Sequence, residues 1–168
     1  MADGTLHFLI GPVGAGKTTF ARRQIANAGG LFLDADTWMV RLYGADPRPE
    51  QGRLEWYLER RNRVRMLMWD LAGQSLDQGV DVFLELGLVT AAERASFFHR
   101  ARGEDRPMIV HHLDASRDER RKRVARRNEA GAPFTQVVAP EFFELASDAW
   151  EDVLPDERST WGIIDESS

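Results

Sequence analysis

The sequence predicts an α/β fold: a parallel sheet of about five strands with helices on both faces, a three-layer sandwich. Three observations carry this. Short apolar runs of strand length alternate with helix-length amphipathic stretches along most of the chain. The apolar runs are nearly continuous, as strands covered on both faces must be. The first run ends on glycine and passes through a glycine-rich turn directly into a helix. The length of 168 residues suits one domain, and 43% hydrophobic with 29% charged residues is the balance of a soluble globular chain.

The elements follow in order. "TLHFLIG" (5–11) reads as a buried strand. A helix over about 17–28 is stopped by Gly29 and Gly30. "LFLDAD" (31–36) is a second strand ending in carboxylates, and a short helix runs over about 37–42. "YGADPRPEQG" (43–52) is turn-rich and reads as a flexible loop. A long helix covers about 53–78, with Leu54, Leu58, Leu67, Leu71 and Leu76 roughly on one face. "VDVFLEL" (80–86) is the third strand, followed by a helix over about 91–101 capped by Thr90. "MIVHHLDA" (108–115) is the fourth strand. "SRDERRKRVARRNEAG" (116–131) is an arginine-dense helix with Ser116 as cap and Gly131 as stop. "APEFFELASDAWEDV" (139–153) is another helix with Pro140 in its first turn, and "WGIID" (161–165) a final strand. In such a fold, ligands sit at the carboxyl ends of the strands.

Composition narrows the function classes. There is no cysteine, which excludes disulfides and thiol chemistry. No apolar run approaches a membrane span, and the N-terminus lacks a signal-peptide pattern, so a cytoplasmic protein is expected. The net charge of -5 counts against a non-specific nucleic-acid binder. The oligomeric state has no signature in the sequence.

"GPVGAGKT" (11–18) fits G-x-x-x-x-G-K-[ST] at every fixed position, between a strand and a helix. Small residues let the backbone wrap a phosphate and aim its N–H groups inward, and the helix N-terminus adds its dipole. Gly11, Val13, Gly14, Ala15, Gly16, Lys17, Thr18 and Thr19 are therefore the expected nucleotide contacts. Lys17 places a charge on the outer phosphates, and the Thr18 hydroxyl is a ligand for Mg²⁺. No N-K-x-D-type guanine-reading segment is present, which favours ATP.

"LDAD" places Asp34 and Asp36 where the phosphate loop opens, on one side of a strand by the two-residue period. Two carboxylates there can divide two roles: orienting an acceptor hydroxyl and holding the waters of Mg²⁺. The alternative is that Asp36 caps the next helix and Asp34 is a loop acid. Glu85, at the end of the third strand, can hold Mg²⁺ through water or meet a substrate hydroxyl. Arg94 is a substrate-anion candidate, or an exposed helix arginine. Arg123 and Arg127, four residues apart on one helix face, can reach transferring phosphate, with Arg120 as a secondary candidate; the alternative is a solvated helix paired with Asp118, Glu119 and Glu129. "RRNRVR" (60–65) reads as a solvated face or as an acceptor-pocket lining. Trp38, Met39, Met66, Met68 and Trp69 read as apolar packing or a cavity wall. His111 and His112 point to opposite faces of a strand, and His7 has no partner at ligand spacing.

The combination of "GPVGAGKTTF" with "LDAD" after the next strand resembles the small P-loop kinases: shikimate and gluconate kinases, the zeta-toxin and chloramphenicol phosphotransferase group, and polynucleotide kinase. The likeness is greatest to the AAA-type ATP-binding proteins of the zeta-toxin-like group, through "LELGLVTAAERASFFHRA", "RVARRNEA" and "FELASDAWEDVLPDE". The resemblance implies a P-loop NTPase fold with strand order 2-3-1-4-5 and a lid region near 116–131. It implies Asp36 as the base facing the acceptor hydroxyl and Asp34 on a Mg²⁺-bound water. Arg123 would pack on adenine and Arg127 reach the phosphates. "DTWMVRLYG" resembles the D-x-x-R segment of polynucleotide-kinase relatives, which makes Arg41, five residues after Asp36, a substrate candidate. The implied activity is transfer of the ATP γ-phosphoryl to a hydroxyl of a small-molecule acceptor. A nucleotide-binding regulator or slow ATPase, and a 5′-hydroxyl polynucleotide kinase, are the alternatives.

Overall fold

A computed structural model describes residues 3–131 and 137–167. Five strands, β1 (Leu6–Ile10), β2 (Leu31–Asp34), β3 (Val82–Glu85), β4 (Met108–Leu113) and β5 (Ile164–Glu166), form one sheet. Their order is β2-β3-β1-β4-β5 and every neighbouring pair is parallel, as the sequence predicts. The helices are α1 (Lys17–Ala28), α2 (Ala35–Tyr43), α3 (Arg53–Leu76), α4 (Ala91–Gly103), α5 (Arg117–Ala130), α6 (Pro140–Ala149) and α7 (Pro155–Trp161). This is the α/β sandwich of P-loop NTPases.

Local chemistry sets most boundaries. Gly29 ends α1 by donating its N–H to the Ile25 carbonyl. Thr90 opens α4 with a full capping box: its hydroxyl accepts from the Glu93 N–H, and the Glu93 carboxylate accepts from the Thr90 N–H. Ser116 caps α5 in the same sense, and Gly131 ends it in the left-handed region at φ 59°.

The sheet is apolar on both faces, unequally. On one side Leu6, Phe8, Ile10, Leu84 and Val110 meet Val64, Met68, Trp69 and Ala72 of α3 and Phe98 of α4. Met39, Met68 and Trp69 thus belong to the core, while Met66 is exposed. On the other side a smaller cluster joins Leu9, Phe83 and Leu113 to Phe20 and Ala21 of α1. Each fully buried Leu or Phe stabilises by about 1.5–3 kcal/mol. Among the described residues no helix is long and apolar enough to cross a membrane.

Four expectations need correction. The inner face of α3 is Val64, Met68, Ala72 and Leu76, whereas Leu54 and Leu67 are exposed. Of the expected leucines, Leu76 lies on that stripe and Leu71 packs against the core, while smaller and polarizable residues fill the rest. The helix read over 139–153 stops at Ala149, and α7, which the sequence pattern does not announce, follows. His7 does have a partner: its Nδ1 lies 2.9 Å from His111 Nε2, and His111 Nδ1 lies 2.7 Å from Glu166 Oε1. The adjacent position, His112, faces the other side of the sheet, against Trp150, as strand alternation requires. Fourth, α2 begins at Ala35, so Asp34 ends the strand and Asp36 stands in the helix.

Candidate active site

The turn between β1 and α1 wraps a cavity of about 910 Å³ at the carboxyl ends of the strands. Gly11 through Thr19 all line it. A Cβ on Gly11 would fall 2.0 Å from the Leu113 carbonyl oxygen, and one on Gly14 2.8 Å from the Arg120 carbonyl oxygen, so both positions require glycine. α1 starts behind Gly16 with no side-chain cap. Its first N–H groups are left for an anion, which is where a phosphate is best held. The Lys17 ammonium donates to the Gly11 and Pro12 carbonyls at 2.6 and 3.1 Å, so the loop itself aims the charge.

Asp34, Asp36 and Glu85 place carboxylate oxygens within 4.8 Å of one another. The parallel register sets Asp34 beside Glu85, since these residues are partners across β2 and β3. Asp36 reaches the group from the first turn of α2, not by strand alternation. It is Asp34 that caps α2, accepting from the Asp36 N–H at 3.0 Å and from the Thr37 hydroxyl at 2.8 Å. Three carboxylate oxygens spread over up to 4.8 Å, in a cavity that Thr18 also lines, suit a hydrated divalent ion held partly through its waters.

Crowding of like charges tunes these groups. Burial pushes the Glu85 carboxyl up to about 7; Lys17 opposes this and the two aspartates add to it. Asp36 is exposed to the solvent of the cavity, whose walls crowd its carboxyl with protein atoms. That enclosure raises its pKa, Asp34 raises it further, and Lys17, Arg127 and Arg61 pull against them. A carboxylate shifted toward neutrality is better matched to accepting a proton near pH 7.

Beyond Asp36 the cavity continues to Tyr57 and Arg61 of α3 and to Gly87, Leu88 and Val89 after β3. Buried arginines hold this wall from behind. Arg65 donates to the Leu86 carbonyl at 2.7 Å and the Gly87 carbonyl at 2.6 Å. Arg94 donates to the Val89 carbonyl at 3.1 Å and forms a paired contact with Glu157 at 2.6 and 2.7 Å. Arg61 and Arg65 each donate to Glu93 Oε1 at 2.9 Å, while Glu93 Oε2 accepts from the Val89 and Thr90 N–H groups. Burial pulls the Glu93 carboxyl up, but these donors outweigh it and leave it below the usual range.

The opposite wall comes from α5 and α6. Arg123 and Arg127 line the cavity, as do Phe142 and Trp150. Arg120 does not reach the ligand space. It is buried, donating to the Val13 carbonyl and the Ser147 hydroxyl at 3.1 Å, and so braces the phosphate loop from outside. Arg117 and Arg121 pair with Glu144 and fasten α6 to α5.

Residues 6–147 match the family model described as AAA domain, AAA_33. The chain belongs to that family. No curated protein matches the sequence closely enough to report. Three solved structures share the fold of this AAA_33 chain. One is the Pnkp1/Rnl/Hen1 RNA repair complex, at TM-score 0.68 and 17% identity, with 95% of this chain and 47% of that chain covered. The chain thus spans about half the length of that relative. A second is Kti12 of Chaetomium thermophilum in complex with ADP-AlF3, at 0.66 and 16%, covering 96% and 88%. A third is a gluconokinase from Sinorhizobium meliloti 1021, at 0.54 and 14%, covering 98% and 82%. The AAA_33 chain is kinase-like in fold.

Within this AAA_33 site, most sequence candidates meet at one cavity: the loop residues, Asp34, Asp36, Glu85, Arg123 and Arg127. Two do not. Arg41 is exposed and outside the lining. It follows Asp36 by five residues on one helix, which turns it about 140° away. Arg94 is neither an exposed helix arginine nor in the cavity; it is fully buried, with its guanidinium committed to Glu157 and the backbone. "RRNRVR" is not simply a solvated face either, since Arg65 is buried and Arg61 lines the cavity. Tyr57 was missed altogether. Its signal was present: 57, 61 and 65 share one helical stripe, an aromatic and two arginines at four-residue spacing.

Proposed function

We propose that the protein is an ATP-dependent phosphotransferase, in the zeta-toxin-like and chloramphenicol phosphotransferase-like part of the small P-loop kinases. It moves the γ-phosphoryl to a hydroxyl of a small-molecule acceptor. The observation that carries this reading is Asp36. Its carboxylate opens into the cavity that the phosphate loop lines, and Lys17 and Arg127 act on it electrostatically. A carboxylate at that place suits an acceptor hydroxyl that faces the outer phosphate.

The loop backbone and Lys17 hold the β- and γ-phosphates, and Arg123 stands against adenine. Thr18 would hold Mg²⁺ directly, with Asp34 and Glu85 holding it through water. The bound ion would neutralise phosphate charge. Asp36 orients the acceptor hydroxyl and takes its proton as the oxygen attacks. Arg127 meets the charge that spreads over the transferring group's equatorial oxygens. The acceptor oxygen gains the phosphoryl group, ADP leaves, and the proton departs from Asp36 to solvent.

A second reading, a 5′-hydroxyl polynucleotide kinase, draws on the RNA-repair structural neighbour. The net charge of -5 weighs against it. The test is a screen with γ-labelled ATP against metabolites, antibiotics, nucleotide sugars and RNA ends. Wild type should label a small molecule, and Asp36→Asn should lower that rate about 10²–10⁴-fold. ATP–Mg²⁺ binding by calorimetry should survive Asp36→Asn and be lost in Lys17→Ala. Labelled RNA ends would select the polynucleotide kinase. ATP binding with no labelled product from any pool, and no effect of Asp36→Asn on slow hydrolysis, would leave a nucleotide-binding regulator or slow ATPase.

A further inference from the structure

We propose that the far wall of the cavity is an oxyanion subsite built on Arg61, so that the acceptor carries a carboxylate or phosphate group as well as its hydroxyl. This rests on the phosphotransferase reading and adds the acceptor's class to it.

Three observations support it. First, the cavity is longer than its nucleotide machinery. The phosphate loop, Arg123 and Arg127 account for one end, while Tyr57, Arg61 and Leu88 line the other, past the Asp36 carboxylate. Second, Arg61 is held rather than waving in solvent. Its side chain is 17% exposed, its Nη2 is fixed on Glu93 at 2.9 Å, and its ring neighbour is Tyr57 at 5.8 Å. A held guanidinium loses little freedom on meeting a ligand, which is the condition for specific recognition.

Third, the protein does not use up this guanidinium. Arg61 and Arg65 share a single oxygen of Glu93, whose other oxygen is taken by two backbone N–H groups. One carboxylate thus serves two cations. Arg65 completes its donors on the Leu86 and Gly87 carbonyls, whereas Arg61, which also hydrogen-bonds the Tyr57 side chain, has no carbonyl partner there among the described residues, and its buried Nε has no partner among them. Arg61 lines the cavity, so the guanidinium donors not spent on Glu93 and Tyr57 border the acceptor space. An oxyanion matches them in charge and in geometry; a neutral polyol matches only the hydrogen bonds.

Arg61 is thus a specificity-determining residue that contacts the acceptor away from the reacting oxygen. Asp36 repels an anion placed at the wrong end of the acceptor, so the two groups together orient it: hydroxyl toward Asp36, oxyanion toward Arg61.

The first experiment saturates ¹⁵N-labelled protein with Mg²⁺ and a non-hydrolysable ATP analogue, which occupies the phosphate loop, and titrates inorganic phosphate. The Arg61 side-chain resonance should shift saturably in the millimolar range. Arg61→Met should weaken phosphate binding about 10- to 100-fold, the loss of one hydrogen-bonded charge contact, and Arg61→Lys should retain part of it. Analogue affinity and melting temperature, read in the same samples, should stay close to wild type. No saturable shift, or equal binding by a folded Arg61→Met, overturns the subsite. The second experiment compares transfer to glycerate and glycerol 3-phosphate with transfer to glycerol, and to gluconate with glucose. Preference for an anionic member, with its KM raised in Arg61→Met and kcat kept, supports the subsite and tells carboxylate from phosphate. Transfer to the neutral members with KM unchanged in Arg61→Met overturns the subsite while the phosphotransferase reading stands. Phosphate binding on Arg61 with no transfer to anything sinks the phosphotransferase reading and keeps the subsite.

Discussion

Ten consecutive residues, 11–20, build the phosphate end of the cavity, whereas its other end draws on α2, α3 and the turn after β3, more than fifty positions apart. The phosphate end is shaped by what it lacks. Gly11 and Gly14 have no side chains because a Cβ would strike the Leu113 and Arg120 carbonyls. The other end is shaped by large side chains reaching in from behind, Arg65 and Arg94, whose guanidinium groups hold the Leu86, Gly87 and Val89 carbonyls. One end is backbone held by close packing; the other is backbone held by buried charge. The first kind is fixed by local sequence. The second depends on distant partners, Glu93 for Arg65 and Glu157 for Arg94.

The largest effect that would break this contrast is expected at Arg94. Arg94→Met leaves Glu157 without its partner, removes the Arg94 donor from the Glu151 carbonyl, and leaves the Val89 carbonyl with the Glu151 N–H alone. Breaking a buried pair from one side costs about 3–5 kcal/mol. Urea unfolding should show that loss, with nucleotide affinity changed much less than stability. If Arg94→Met unfolds at the wild-type midpoint, the turn after β3 is not held as described.

Glu85 sharpens the contrast from the other direction, because it joins the two ends. Its folded pKa of about 7 lies above the ordinary value of 4.5. Between those values the folded state binds the extra proton, so stability falls as pH rises. The cost is absent below about pH 4.5 and fully present above about pH 7. A gap of that size corresponds to about 3 kcal/mol at most. Glu85→Gln should therefore stabilise the metal-free protein at pH 8 and do little at pH 4.5. Thermal melts at the two values measure it; a gain that is equal at both would show that Glu85 is not buried as a charge.

The smallest effect is expected at Arg41, which belongs to neither end. Arg41→Ala should shift stability by no more than about 0.5 kcal/mol and leave phosphotransfer within about twofold. A large loss of activity would restore Arg41 to the site.

Much of the fold was legible because its punctuation is local. Gly29, Thr90, Ser116 and Gly131 each stop or start a helix by their own chemistry, and the expected strand order holds. The phosphate loop was legible for the same reason. Asp34 and Asp36 were recognised as a pair on a wrong premise: the strand ends at Asp34, and a helical turn, not strand alternation, presents Asp36. Arg65 and Arg94 were not legible as buried, because a charge reads as solvated until its partner is known. Their partners lie 28 and 63 positions away. Tyr57 and Arg61 suffered from the same blindness, since a basic run on a helix looks alike whether water or a cavity faces it. His7 reads as solitary in the sequence because its neighbour, His111, comes from another strand, 104 positions on.

The shared carboxylate of Glu93 has a consequence for redesign. It caps α4, fastens Arg65 and steadies Arg61 at once. The fittings of the pocket are therefore separable from its frame. Positions 57 and 61 can be exchanged to admit a differently shaped guest, while 65, 93, 94 and the buried Leu88 must be left alone. A new tenant needs new furniture, not a new building.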